Sequence, residues 1–342
     1  MIPLSQPEPL PLPQQMLQLA SGYFVSQSLH AAARLGVADY LTGGPRSTQE
    51  LAERTGADEP SLYRLLRALA SLGVFRETEP RTFELTPLAE LLREGVPGSM
   101  RSAVIMLGDP EHYRAWGELE HSIQTGEPAF DHAFGMGVFE YFERHPQSAA
   151  VFDQAMTDLT DAEGIAAAYD FSEVRTVVDI AGGHGSLLAA VLRLHPQLHG
   201  VLFDLPHVIQ RAKERGFLGG ELAERARLES GSFFEAVPAG GDVYMMKHII
   251  HDWDDEHCVR ILESCRRVLP AAGRLLVLDT VVPAGNDPHP SKLMDLNMLV
   301  MTHGGRERTE EEFRALFSRA GFRLTRIVPT RSSTCYVEGI PA

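Results

Sequence analysis

The sequence predicts an α/β fold in its second half, with parallel strands covered on both faces by helices, behind a mostly helical first half that carries a winged-helix pattern. From about residue 171, short runs rich in β-branched residues alternate with amphipathic helical runs, which is the signature of strand–helix–strand units. Before that, residues 14–161 read as almost all helix, broken by two short strand-like runs around Pro80-Arg81.

The elements follow in order. Residues 1–12 form a proline-rich stretch without a basic residue and are expected to be disordered. Ser47 stands three residues before Glu50, a capping box that starts a helix, and Thr55-Gly56 ends it. Pro60-Ser61 opens a second helix with Leu62, Leu65, Leu66, Leu69 and Leu72 at helical spacing, and Gly73 stops it. Residues 74–76 and 82–85 make a hairpin, and Thr86-Pro87 begins another helix. Helix, turn, helix and hairpin assign 13–105 to a winged-helix-like domain. Such a domain either binds DNA or serves packing and dimerisation. Its second helix carries only Arg64 and Arg67, and DNA affinity comes mainly from Lys and Arg on phosphates, so dimerisation is the better reading. Residues 106–170 are expected to be a helical linker.

In residues 171–342 the strands are expected at 174–180, 200–204, 227–228, 242–250 and 273–279. Helices are expected at 187–194, 208–215, 256–269 and 309–320, with closing strands at 323–328 and 334–339. The formal net charge of −15 argues against nucleic acid or an anionic membrane as partner and suits a small cationic ligand. The three cysteines, Cys258, Cys265 and Cys335, contain no CxxC. With no signal-peptide pattern and no apolar run long enough to span a membrane, the expected location is cytoplasmic.

Two stretches carry chemistry. Asp179-Ile180-Ala181-Gly182-Gly183-His184-Gly185 lies where the first strand meets its helix, and its glycines let backbone approach a ligand. Asp204 ends the second strand, placed to accept hydrogen bonds from ribose hydroxyls. From Gly183 the run is Gly-x-Gly-x-x-Leu188, so the third glycine of a dinucleotide fingerprint is missing, and there is no GK[ST] of a phosphate loop. A nucleoside without phosphates fits best. Ser232 and Phe233 are candidates to bond a base edge and pack on its face, the alternative being a plain turn with a core aromatic. Lys247, among Met245, Met246, Ile249 and Ile250, reads as a site residue rather than a solvated lysine.

The second stretch is His251-Asp252-Trp253-Asp254-Asp255-Glu256, after the fourth strand, on the side where such sheets bind ligands. An imidazole there is a natural general base for an acceptor hydroxyl. Asp279 and Glu307 are alternative carboxylates to orient it, while Asp254 is expected to cap the following helix. No metal is expected: His248 and His251 are three apart, and if His248 lies in a strand the two point to opposite faces.

Together these residues resemble the S-adenosylmethionine-dependent O-methyltransferases of the plant caffeic acid and flavonoid type and their bacterial natural-product relatives. The matching runs are 177–185, 203–209, 247–257 and 304–313, so the resemblance covers nearly the whole chain. It implies a Rossmann-like methyltransferase domain behind a dimerisation module, S-adenosyl-L-methionine as cofactor, a homodimer, and a small hydroxylated aromatic or polyketide-like acceptor. Asp179, Gly182, Gly183, Asp204, Ser232, Phe233 and Lys247 would hold the cofactor. His251 would deprotonate the acceptor, flanked by Asp279 and Glu307, with Phe152, Met156, Met298 and Thr302 lining the acceptor site. A relative with this fold that uses the cofactor structurally, for hydroxylation or decarboxylation, is the main alternative. Ala181 replaces the first glycine of the family loop, and a modest backbone adjustment is expected there. Ser232 and Asp279 stand where plant members carry aspartate and glutamate.

Overall fold

The structure is a computed structural model that describes residues 10–342. It comprises two compact units, one ending at Tyr113 and the other running from Arg114 to Ala342. The expected disorder over 1–12 falls mostly outside the described residues; within them, a helix already begins at Leu12 (Leu12–Ala20).

The first unit has the winged-helix form. Ser47 and Glu50 make the reciprocal capping box on the helix Thr48–Thr55, which ends on left-handed Gly56. The second helix, Glu59–Ser71, starts slightly earlier than Pro60-Ser61 suggests, because the Asp58 carboxylate caps it by accepting from Ser61 N–H. Leu62, Leu66 and Leu69 are buried, whereas Leu72 lies past the helix end and is exposed. Strands β1 (Arg46–Ser47), β2 (Phe75–Glu79) and β3 (Thr82–Leu85) form a sheet in the order β1-β3-β2. The two-residue β1, which sequence pattern alone does not reveal, pairs Arg46 with Phe83. The helix begun by Thr86-Pro87 lasts one turn (Pro87–Glu90). Leu12, Met16, Leu17, Leu19 and Phe24 are exposed, an apolar row of the kind that marks an interaction surface.

The second unit is built on a seven-stranded sheet. Its strands are β4 (Thr176–Ile180), β5 (His199–Asp204), β6 (Ala226–Ser230), β7 (Val243–Lys247), β8 (Arg274–Thr280), β9 (Phe322–Pro329) and β10 (Thr334–Pro341). The order is β6-β5-β4-β7-β8-β10-β9. The first five run parallel, but β10 inserts antiparallel between β8 and β9. The sheet is therefore mixed, not parallel throughout. A four-residue link between β9 and β10 makes a hairpin, and a hairpin forces antiparallel pairing. Alternate residues feed opposite cores. Val177, Leu202, Met245 and Leu276 face one layer of helices, and Val178, Val201, Met246 and Val277 face the other.

The strand expected over 242–250 ends at Lys247. His248 N–H still donates to Leu278 O of β8 (3.0 Å), but its left-handed φ of +54 ends the strand there, and Ile250–Asp252 form a 3-10 turn. No described helix is long and apolar enough to cross a membrane.

Candidate active site

The C-terminal ends of β4 and β5 build one half of the site. Beyond β4, Ala181 adopts φ +53, a conformation a Cβ disfavours by roughly 1–2 kcal/mol. The loop keeps a left-handed residue at 181 although it is not glycine. A Cβ on Gly182 would lie 2.5 Å from both Asp179 Oδ2 and Leu202 Cδ1, so a larger residue there would have to displace these side chains. Gly183 has φ +59 and open space where a Cβ would stand. Its N–H donates to Asp204 Oδ2 (2.9 Å), and Leu205 N–H donates to Oδ1 (2.7 Å). Each Asp204 oxygen keeps a lone pair for a hydroxyl. Burial raises the Asp204 carboxyl to about 6 against those two N–H bonds.

Asp179 is buried, and its Oδ2 accepts no hydrogen bond. Burial, and then the Asp204 charge, push it up to about 8, opposed by Lys247. Gly231 N–H donates to Asp204 O (3.0 Å), which fixes the turn that carries Ser232 and Phe233 beside the end of β5. Ser232 Oγ accepts from Phe234 N–H (3.3 Å), and the Phe233 ring stands edge-on to Trp253 (6.2 Å). Lys247 Nζ is 3.0 Å from His248 Nδ1; burial lowers its pKa to about 8, resisted by Asp279 and Asp179. An open glycine face, a ribose-type carboxylate and an unsatisfied buried carboxylate oxygen fit a nucleoside with a cationic tail.

The ends of β7 and β8 build the other half. His251 lies on the 3-10 turn after β7 and is 9% exposed. Its Nδ1 is 2.8 Å from Oε1 of buried Glu307. A carboxylate opposite Nδ1 requires Nδ1–H as donor, so in the neutral ring Nε2 carries the lone pair. Asp252 Oδ1 is 3.6 Å from Nε2, too far to occupy it. Burial alone would lower the His251 pKa, but Asp252, Glu307 and Asp279 outweigh it and raise it to about 9. Asp279 is fully buried with neither oxygen hydrogen-bonded, and burial raises it to about 7 against the charge of His251. Of the two carboxylates offered by the sequence, Glu307 is the one in hydrogen-bond contact with the ring, and Asp279 makes no hydrogen bond to it.

Consecutive residues hold this loop in place. Arg306 N–H donates to His251 O (2.8 Å), Glu307 bonds the ring, and Arg308 reaches Ile250 O (2.8 Å), Trp253 O (3.0 Å) and Asp255 Oδ1 (2.8 Å). Arg308 is 1% exposed, and its fork satisfies the carbonyls on both sides of His251. Asp295 Oδ1 in turn accepts from Glu307 N–H (2.9 Å). Sequence reasoning did not assign Arg308 or Asp295; their signal is a long-range pairing that local pattern does not carry. Asp254 caps the helix Asp255–Val268 as expected. His248 and His251 do not point to opposite strand faces: His248 is outside the strand and the two rings stack at 5.1 Å. Among the described residues no group of three or more His, Cys, Asp or Glu is arranged to hold a metal.

The acceptor candidates lie on two helices. Phe152 and Met156 are half-buried on Pro146–Asp158, and Phe152 packs on Phe142 at 4.8 Å. Met298 is buried near the end of Pro290–Met301, and Thr302 Oγ1 donates to its carbonyl (2.8 Å).

Comparison with known proteins defines the class. Residues 116–323 match the O-methyltransferase domain family, and residues 17–95 match the O-methyltransferase dimerisation domain. The chain belongs to the O-methyltransferase family. It is 47% identical to the phenazine O-methyltransferase PhzM of Lysobacter antibioticus, over 97% of each chain. The crystal structure of CalO1, a methyltransferase in calicheamicin biosynthesis in its S-adenosylhomocysteine-bound form, superposes with a TM-score of 0.85 at 40% identity, covering 98% of this chain and 100% of that one. The chain is also 36% identical to the 8-amino-8-demethylriboflavin N,N-dimethyltransferase of Streptomyces davaonensis, over 97% of this chain and 98% of that one. The expected fold, a Rossmann-like methyltransferase domain behind a helical dimerisation domain, and the expected cofactor, S-adenosyl-L-methionine, agree with these relatives. The chain is a methyltransferase of the natural-product type.

Proposed function

We propose that this methyltransferase acts on the hydroxyl of a planar aromatic natural product, with a hydroxylated phenazine as the first acceptor to try, and that His251 is its general base. The observation that carries the reading is the 2.8 Å contact of His251 Nδ1 with buried Glu307, which leaves Nε2 as the free basic atom. When bound, S-adenosyl-L-methionine supplies a methyl group on a cationic sulfur. Asp204 and the Gly182–Gly183 backbone would hold its ribose and methionine parts, Asp179 would lie behind the methionine part, and Ser232 and Phe233 would flank its adenine. Lys247 would close the site between Asp179 and Asp279.

His251 Nε2 takes the acceptor proton as the oxygen attacks. A base raised to about 9 is well matched to a phenol near 10. Phe152, Met156, Met298 and Thr302 would orient the ring, two of them methionines that adapt to flat apolar surfaces. The exposed apolar row on the first unit supports a homodimer through the dimerisation domain. The reading places the enzyme in the cytoplasm, with its cysteines reduced.

Relatives that methylate nitrogen make the acceptor atom the point to test. The enzyme is incubated with S-adenosyl-L-methionine and either a hydroxyphenazine or the matching aminophenazine. The expected result is a methyl ether and an equal yield of S-adenosylhomocysteine from the first alone. Methylation of the amine in preference, or turnover without S-adenosylhomocysteine, contradicts the proposal.

A further inference from the structure

The helix Pro146–Asp158 carries Phe152 and Met156, and the residues after them contact the helix that follows Asp204 and the glycine loop, respectively. Asp153 Oδ2 lies 2.6 Å from Arg211 Nε, a charge contact without hydrogen-bond geometry. Arg211 lies on the helix Pro206–Arg215, which begins two residues after Asp204. The Thr157 hydroxyl and His184 Nδ1 share a hydrogen bond of 3.1 Å. His184 stands between Gly183 and Gly185 in the glycine loop. Its side chain is 2% exposed, and Nε2 has no hydrogen-bond partner, the nearest carboxylate oxygen being Asp153 Oδ2 at 4.0 Å. The spacing is the helical period: 152 and 156 share one stripe, 153 and 157 the next.

We propose that this helix couples the two substrate sites, with His184 and Arg211 as positioning residues that hold the acceptor wall against the cofactor loops. The inference rests on the reading that Phe152 and Met156 line the acceptor site. Holding the loops after β4 and β5 in their cofactor-bound arrangement then also holds the wall, so cofactor binding precedes productive acceptor binding. Neither link is deeply buried along its whole length: the Asp153 and Arg211 side chains are 18% and 31% exposed. Each is individually modest, and removing both at once is the informative change.

The test is hydrogen–deuterium exchange on the full chain with and without S-adenosylhomocysteine. In the wild type, S-adenosylhomocysteine should slow exchange over residues 146–158 as well as 181–205, by about tenfold. Arg211→Lys, which keeps the charge, should retain that protection. The double variant Arg211→Gln with Thr157→Val should keep protection over 181–205 and lose it over 146–158. Its KM for a hydroxyphenazine should rise about tenfold, with kcat changed less than about threefold. Protection of 146–158 that is absent in the wild type, or that persists in the double variant, overturns the coupling. Phe152→Ala separates the underlying reading: a raised acceptor KM with 146–158 still protected supports the wall, and an unchanged KM overturns the acceptor half of the proposal.

Discussion

The two halves of the site sit at the ends of one sheet and are built from different materials. The proposed cofactor half, after β4 and β5, is mostly backbone: glycine amides, the open face of Gly183, and two carboxylates within one strand–helix–strand unit. The base half, after β7 and β8, is side chains drawn from three distant segments at 251, 279 and 307. Backbone sites are specified by steric permission, and side-chain sites by long-range packing. Damage to the first should therefore appear in cofactor affinity, and damage to the second in turnover.

The largest expected effect is His251→Ala, which should lower kcat by about 10²–10⁴-fold while leaving S-adenosylhomocysteine affinity within about twofold. Calorimetric titration beside steady-state rates checks both, and equal loss of binding would erase the distinction between the halves. Gly182→Ala should do the reverse. Its Cβ would collide with Asp179 and Leu202, so cofactor affinity should fall at least about tenfold, with kcat at saturating cofactor nearly kept. Arg308→Lys keeps the charge but not the fork over Ile250 O and Trp253 O. We expect kcat to fall about tenfold with cofactor affinity unchanged; a fall in melting temperature without a fall in kcat would make Arg308 a purely structural residue. The smallest effect belongs to Ala181→Gly, which relieves the left-handed alanine. Thermal unfolding should change by less than about 1 kcal/mol, because lost strain and gained unfolded-state freedom offset each other.

This division also explains what the sequence made legible. Asp179, Gly182, Gly183 and Asp204 lie in one strand–helix–strand unit, so the rules of that unit bring them together. Ser47, Asp254 and Thr309 cap helices by contacts three residues long, and these too are readable. His251 stands out in the sequence as a candidate base from its place after a strand, but its turn does not. The strand ends at Lys247 because His248 goes left-handed, and nothing local in 242–250 announces that. The choice between Asp279 and Glu307 needed three-dimensional register, as did the clamp of Arg308 on the loop. The insertion of β10 between β8 and β9 escaped a reading based on alternating strands and helices, since hairpin pairing is decided by the short link between them.

The measurement that bears most directly on the base half is the pH dependence of kcat/KM for the wild type and for Glu307→Gln. His251 must be unprotonated to act, so the wild-type rate should climb with pH, pass its midpoint near 9 and level off above it. Glu307 is one of the groups that raise that pKa, so its neutral replacement should move the rising limb to lower pH and lower the plateau. A limb that stays in place in Glu307→Gln, or a wild-type rate indifferent to pH across this range, would contradict His251 as the proton acceptor.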